Sequence, residues 1–113
     1  MTDDSLHLLR GTVDLLILKG LSWGPCHGYA VSEWLGKVTD GTLLLEEGTL
    51  YPALHRLENK GVIEAEWGLS ANNRRAKYYR LTDVGRRRLT GETQAWTRYA
   101  EAIAKALGAK APA

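Results

Sequence analysis

Between Gly48 and Gly61 the apolar residues Leu50, Leu54 and Leu57 recur at i, i+4 and i+7, which places them on one helical face. Gly48, Pro52, His55 and Asn59 point away from that face, with Thr49, Tyr51 and Arg56 on its flanks. One side of this predicted helix is built to bury; the other carries an aromatic, an imidazole, a guanidinium and an amide. The helix is bounded at about Glu47–Lys60. Gly61 suits the position just past a helix end, and Pro52 belongs in or near the first turn, where its missing N–H costs least.

The remaining pattern sorts around this segment. Residues 6–21 form a first helix on which Leu6, Leu9, Val13, Leu16 and Ile17 share a face, broadened by Leu8, Leu15 and Leu18. It is too apolar for a surface helix and predicts either a central position or a partner. Ser22–Pro25 breaks the chain. A second helix over His27–Thr39 carries the stripe Ala30, Val31, Trp34, Leu35 and Val38, and Asp40-Gly41 ends it. Thr42–Glu47 is a short link. After Gly61, Val62–Trp67 alternates Ile63, Ala65 and Trp67 against Glu64 and Glu66, a half-buried strand. A second strand over Ala76–Leu81 sets Lys77, Tyr79 and Leu81 opposite Tyr78 and Arg80, and Gly68–Arg75 is the loop of the resulting hairpin. Thr82 is placed to cap a last helix, with Asp83 at its positive end. That helix runs to about Leu107, with Leu89, Trp96 and Ile103 at heptad spacing and Tyr99, Ala100 and Leu107 between. Residues 109–113 read as a fraying tail.

The fold class implied is mainly α with a β-hairpin. Two helices joined by a short link form a helix-turn-helix, and a hairpin directly after the second of them forms a wing. The organisation is a winged helix-turn-helix over residues 1–81, with the first helix also at a dimer interface, then a dimerisation helix over 82–108. One α-helix fills the major groove of B-DNA. On the outward face of the third helix Asn59 and Arg56 carry several donors each, and His55 and Thr49 reach base edges or phosphates. Tyr51 fits two roles, packing against the wing or facing DNA. Glu46, Glu47 and Glu58 oppose a strongly basic reading surface.

Charge strengthens this reading. The formal net charge is only +2, but Arg74–Arg88 holds seven basic residues against Asp83, a segment of +6 that leaves −4 for the rest. A basic block on a mildly acidic body fits a polyanion partner. The wing's Arg74, Arg75 and Lys77 are placed for neighbouring phosphates or a minor groove. A length of 113 residues predicts one domain, and 44% hydrophobic with 25% charged residues is ordinary for a globular chain. Cys26 is the single cysteine, so no internal disulfide forms. Beside the start of the second helix its thiol would be activated, a weak motif for redox sensing. A cytoplasmic location is expected, since Met1-Thr2-Asp3-Asp4 does not open a signal peptide and no 18-residue apolar run spans a membrane. His7, His27 and His55 are scattered, with no metal-ligand spacing and no phosphate-binding glycine loop, so neither an enzyme, a metal site nor a cofactor is expected.

A dimer follows from the ends of the chain. A last helix of about 25 residues spans roughly 37 Å, more than the preceding body can cover. Its seam of Leu89, Trp96, Ile103 and Leu107, with Leu6, Leu9 and Val13 of the first helix, calls for a second copy. Two-fold symmetry then presents two third helices to a palindromic operator in double-stranded DNA.

Four stretches together carry a resemblance: Gly48-Thr-Leu-Tyr-Pro-Ala-Leu-His-Arg-Leu-Glu58, His27-Gly-Tyr-Ala30, Arg75-Ala-Lys-Tyr-Tyr-Arg-Leu-Thr82, and Gly85. The chain resembles the PadR family of bacterial transcriptional regulators over roughly Leu6–Leu107, in the short form with a single C-terminal helix. The resemblance implies a homodimer that represses genes until a small molecule binds. It gives the recognition-helix role to Thr49, Tyr51, Pro52, His55 and Arg56, and the wing role to Asn72, Asn73, Arg74, Arg75 and Lys77. The wing tip Ser70-Ala71-Asn72-Asn73 lacks the glycines often found there. It also makes Trp96, in Gln94-Ala-Trp-Thr-Arg98, a platform for a planar aromatic or apolar effector, with Leu8, Asp14, Leu15 and Tyr99 as neighbours; filling the dimer core is the other role open to Trp96. Two alternatives to an effector-released repressor stand beside it: a DNA-binding regulator controlled by abundance or a protein partner, and a winged-helix protein-interaction module, which the basic block disfavours.

Overall fold

The computed structural model describes residues 11–112. Leu6, Leu8 and Leu9 lie outside the described residues. The elements run α1 (Thr12–Gly20), β1 (Cys26–His27), α2 (Gly28–Val38), α3 (Glu47–Asn59), β2 (Ile63–Leu69), β3 (Arg75–Leu81) and α4 (Asp83–Leu107). Three helices, a hairpin and a long final helix make a winged helix-turn-helix, mainly helical, with a small antiparallel sheet.

The interior is built from one apolar stripe per element. Ile17, Leu18 and Leu21 from the first helix and its exit meet Val31 and Leu35 of α2 and Leu50, Ala53, Leu54 and Leu57 of α3. Val62, Ile63, Tyr79 and Leu81 close the core from the sheet side. The Leu50, Leu54 and Leu57 face is fully buried, as its spacing requires. α2 and α3 approach closely at Gly28, where a Cβ would sit 2.8 Å from Leu54 Cδ1 and 3.3 Å from Tyr51 Cε1.

Helix ends are set locally. α3 opens at Glu47 and Gly61 follows its end with φ 75°, both as expected. Pro52 is inside the helix one turn further on than the first-turn placement, where it removes the N–H bond that would have reached back to Gly48 and its ring crowds that carbonyl. Thr82 caps α4 as expected: its hydroxyl accepts from the Gly85 N–H (3.1 Å) and donates to the Gly61 carbonyl (2.7 Å). Its own N–H donates to the Val62 carbonyl (3.1 Å), so one residue ties the end of α3, the start of β2 and the start of α4 together.

Three boundaries differ from the sequence reading. Gly11 takes φ 94°, so α1 begins at Thr12, and the stretch from Leu6 that the sequence joined to it lies outside the described residues. Cys26 and His27 form a third strand, missed because two residues carry no periodicity; they pair antiparallel with Tyr79 and Tyr78, giving the order β1-β3-β2. His27 also caps α2, its Nδ1 accepting from the Ala30 N–H (3.2 Å). Finally, both hairpin strands run further out, to Leu69 and from Arg75, because Leu69 pairs with Arg75 and Gly68 with Ala76. The wing loop is therefore only Ser70 to Arg74. It is held by Ser70 N–H to the Arg74 carbonyl (2.8 Å) and Asn73 N–H to the Ser70 carbonyl (2.9 Å), and Asn73 adopts φ 59°, a left-handed conformation asparagine tolerates in place of glycine.

Candidate nucleic-acid interface and adjoining cleft

α3 turns its unburied face outward. Thr49, Tyr51, Pro52, His55, Arg56 and Asn59 are all exposed. Tyr51 sets its ring carbon Cε1 beside Gly28 of α2, with 46% of the residue exposed. Arg56 is not free in this state: its guanidinium pairs with Asp14 of α1, not with Glu46 or Glu58. Glu58 is engaged elsewhere, accepting a hydrogen bond from Lys77 Nζ at 3.3 Å. One acidic residue on α3 is thereby neutralised by the wing, and the wing is braced against the helix. Burial works against the charged form of Lys77. The Glu58 carboxylate and Tyr79 outweigh it and hold the ammonium above its usual 10.5. Glu46 and Glu47 remain exposed at the start of the helix.

Along the wing the cations divide by partner. Lys77 is tied to Glu58 and lies over the Tyr79 ring at 5.3 Å. Arg75 lies over the Trp67 ring with its guanidinium carbon 4.6 Å from the centroid. Arg80 pairs with Glu64 across the hairpin at 2.8 Å, and Arg88 with Glu92 along α4 at 2.8 Å. Among the described residues Arg74, Arg86 and Arg87 have no carboxylate within ion-pair distance. The +6 segment is thus partly spent inside the protomer, and Asn72, Asn73, Arg74 and Arg75 form its exposed tip. Sequence reading did not single out Trp67, because strand alternation put it on the inward face. The hairpin carries it past the edge of the body, where it is 55% exposed.

A second feature lies between the two ends of the chain. Leu15, Trp96 and Tyr99 line an open cleft of about 620 Å³ together with Gly11, Thr12, Glu92 and Ala95. The Trp96 and Tyr99 rings are 5.9 Å apart and inclined at 34°. Glu92 and Ala95 were not anticipated, yet helical spacing marks Glu92: it precedes Trp96 by four residues, as Tyr99 follows by three. Asp14 does not join this cleft. One residue turns a helix by about 100°, so Leu15 faces α4 while Asp14 faces α3, where it borders a separate hollow with Gly48, Thr49, Pro52 and Arg56. Beyond this point α4 leaves the body. Trp96, Tyr99, Ile103 and Leu107 are all exposed within the protomer, Leu107 at 83%. Leu89 and Val13 instead pack against the core from its edge.

Cys26 shows no sign of activation. Burial pushes its thiol above the usual 9.0, the reverse of the lowering expected at a helix start. Its place in β1, a strand paired with Tyr79, is the reason.

The fold, the outward polar helix and the cationic wing define a winged-helix transcription factor. Residues 17–91 match the model of the PadR-like family of transcriptional regulators, and the chain belongs to that family. It is similar to the transcriptional regulator Rv3488 of Mycobacterium tuberculosis, at 35% identity over 86 residues, 76% of this chain and 77% of the relative. Among solved structures it resembles a transcriptional regulator from Clostridium thermocellum, at TM-score 0.77 and 34% identity, covering 85% of this chain and 93% of that one. It also resembles a PadR family regulator from Clostridium difficile, at TM-score 0.74 and 33% identity, covering 87% and 100%. The protein is therefore a DNA-binding transcriptional regulator of a family whose members are not enzymes. Among the described residues no helix is long and apolar enough to cross a membrane.

Proposed function

We propose that the chain is a homodimeric repressor of a palindromic operator, released by a planar aromatic or apolar molecule that enters between α1 and α4. The observation that carries the DNA-reading part is the division of α3. Leu50, Ala53, Leu54 and Leu57 are buried, and Thr49, Tyr51, His55 and Asn59 project on the other side. In this reading those outward residues set where the protein binds, and Arg74 and Arg75 supply most of the phosphate affinity. The exposed seam of Trp96, Tyr99, Ile103 and Leu107 supports a second copy of the chain as its cover, because a soluble protomer rarely leaves such a stripe bare. The cleft beside Trp96 and Tyr99 then lies next to that seam and combines aromatic and aliphatic walls with the polar Thr12 and Glu92, a mixture that suits a small-molecule site.

The test is footprinting on the DNA upstream of the protein's own coding sequence, with light scattering on the same preparation. A protected two-fold symmetric site bound by a dimer is the expected result. A monomer on an asymmetric site removes the dimeric reading. Planar aromatic molecules added to the bound complex then separate two kinds of regulator: release of the DNA supports an effector, and unchanged binding across a chemically diverse set favours control by abundance or a protein partner.

A further inference from the structure

Burial along β2 falls off in steps on one face. Ile63 is 1% exposed, Ala65 half-buried, Trp67 55% exposed and Leu69 67% exposed. The same face of β3 runs from buried Tyr79 through Lys77 to exposed Arg75. The register pairs Trp67 with Lys77 and Leu69 with Arg75, so Arg75 reaches Trp67 along the diagonal, a distance that long side chains span. Lys77 is already held by Glu58, which leaves the indole for Arg75.

An exposed tryptophan here fills no core and is 55% open to water. What it does provide is a flat surface at the place where the wing's cation must be ordered. Arginine carries about 2 kcal/mol of rotamer entropy, much of it lost on forming a fixed contact. A guanidinium stacked on a ring has already lost part of that freedom. Stacking engages the face of the guanidinium and leaves the N–H groups at its edge, which are the ones that bind phosphate oxygens or the rim of a minor groove. Arg74, one residue away, has no ring beneath it and no carboxylate partner among the described residues.

We propose that Trp67 is a positioning residue for DNA binding: its ring holds Arg75 in the conformation in which the wing contacts the nucleic-acid backbone, so that Arg75 makes an ordered contact and Arg74 contributes mainly charge. The inference rests on the reading that the wing binds DNA. Trp67 acts through Arg75 and does not change the number of charges, so its removal lowers affinity at every salt concentration without changing the salt slope.

The experiment is a double-mutant cycle on the full-length protein bound to its own operator, with urea unfolding of each variant as a check on folding. Trp67→Ala is expected to weaken binding about five-fold, the range of a partly exposed cation–π contact. In an Arg75→Ala background the same change is expected to have no further effect. Trp67→Tyr, which keeps an aromatic face, is expected to restore most of the affinity, whereas Trp67→Leu, which keeps only apolar bulk, is not. Leu69→Ala serves as a control on the same face and is expected to bind normally. An equal loss for Trp67→Ala with and without Arg75 overturns the proposal, as does rescue by Trp67→Leu or a comparable loss for Leu69→Ala; either of the last two would make the patch an apolar contact. If Arg75→Ala itself leaves affinity and salt slope unchanged, the wing reading fails first. If Arg75→Ala weakens binding and Trp67→Ala does not, only the positioning role fails.

Discussion

Among the glycines, Gly85 is the one at which an added methyl group meets the nearest obstacle. It is the third residue of α4, buried against the turn between α3 and β2. A Cβ added there would lie 1.9 Å from the Val62 carbonyl oxygen and 2.9 Å from its carbonyl carbon, where ordinary contact begins at 3.4 Å. The obstacle is backbone, so no rotamer relieves it. The start of α4 would have to retreat by about 1.5 Å, and packed interiors do not absorb such a shift without loss. Two bonds span that gap: Thr82 N–H to the Val62 carbonyl (3.1 Å) and the Thr82 hydroxyl to the Gly61 carbonyl (2.7 Å). Each is worth about 1 kcal/mol net, and an orphaned buried carbonyl adds a comparable penalty. Against this, Gly→Ala in a helix gains at most about 1 kcal/mol. Gly85→Ala is therefore expected to destabilise the protein by about 2–4 kcal/mol. At fixed protein concentration the urea midpoint should fall by roughly 1–2 M, read by far-ultraviolet circular dichroism. Gly91→Ala is the matched control. It lies in the same helix with nothing within 4 Å of its added Cβ, and should leave stability unchanged or raise it by about 0.5–1 kcal/mol. A Gly85→Ala protein as stable as the parent would refute the clash and the Thr82 junction built on it.

Other substitutions separate the roles of the charged and aromatic groups. Replacing both Arg74 and Arg75 with Ala should weaken binding to every duplex and reduce the magnitude of the salt slope by about 1.8, two phosphate equivalents, in anisotropy titrations over a salt series. Arg56→Ala should cost about 0.5–1 kcal/mol of stability in urea, and that cost should vanish in an Asp14→Asn background if the ion pair is its source. Trp96→Ala should lower the affinity of a planar aromatic ligand measured by calorimetry while sparing DNA binding; a shift to monomer in light scattering would instead place Trp96 in the dimer core. The Lys77 pKa is raised, so the stability its pairing with Glu58 contributes is complete below the usual 10.5 and is lost as pH rises through the higher folded-state value. Urea midpoints of the parent and Glu58→Gln should therefore keep a constant gap through neutral pH and converge in strong alkali.

Much of the architecture is readable along the chain because its causes are local. A leucine at 50, 54 and 57 commits α3 to one buried side whatever lies opposite. Gly61 at positive φ and Thr82 beneath the Gly85 N–H are residue types whose own chemistry ends or starts a helix. The same holds for the outward polar set on α3, which follows once the buried face is known. Cross-chain relationships are not legible in this way. β1 is a strand only because Tyr78 and Tyr79 offer it a free edge, and nothing in Cys26-His27 announces that. Helical phase puts Asp14 and Leu15 on different faces, yet which face meets α3 and which meets α4 depends on how the helices are stacked.

The wing shows the division most clearly. Alternation of apolar and acidic residues is enough to make Val62–Trp67 a strand, since side chains two apart share a side of any sheet. Alternation carries no information on where the body ends beneath that side. The tertiary structure decides that Ile63 is covered and Trp67 is not, that Lys77 is occupied by Glu58 and that Arg75 rests on an indole eight residues earlier in the chain. Periodicity is a property of neighbouring residues and survives in the sequence. Coverage and charge pairing depend on elements brought together from far along the chain, and they exist only once it has folded.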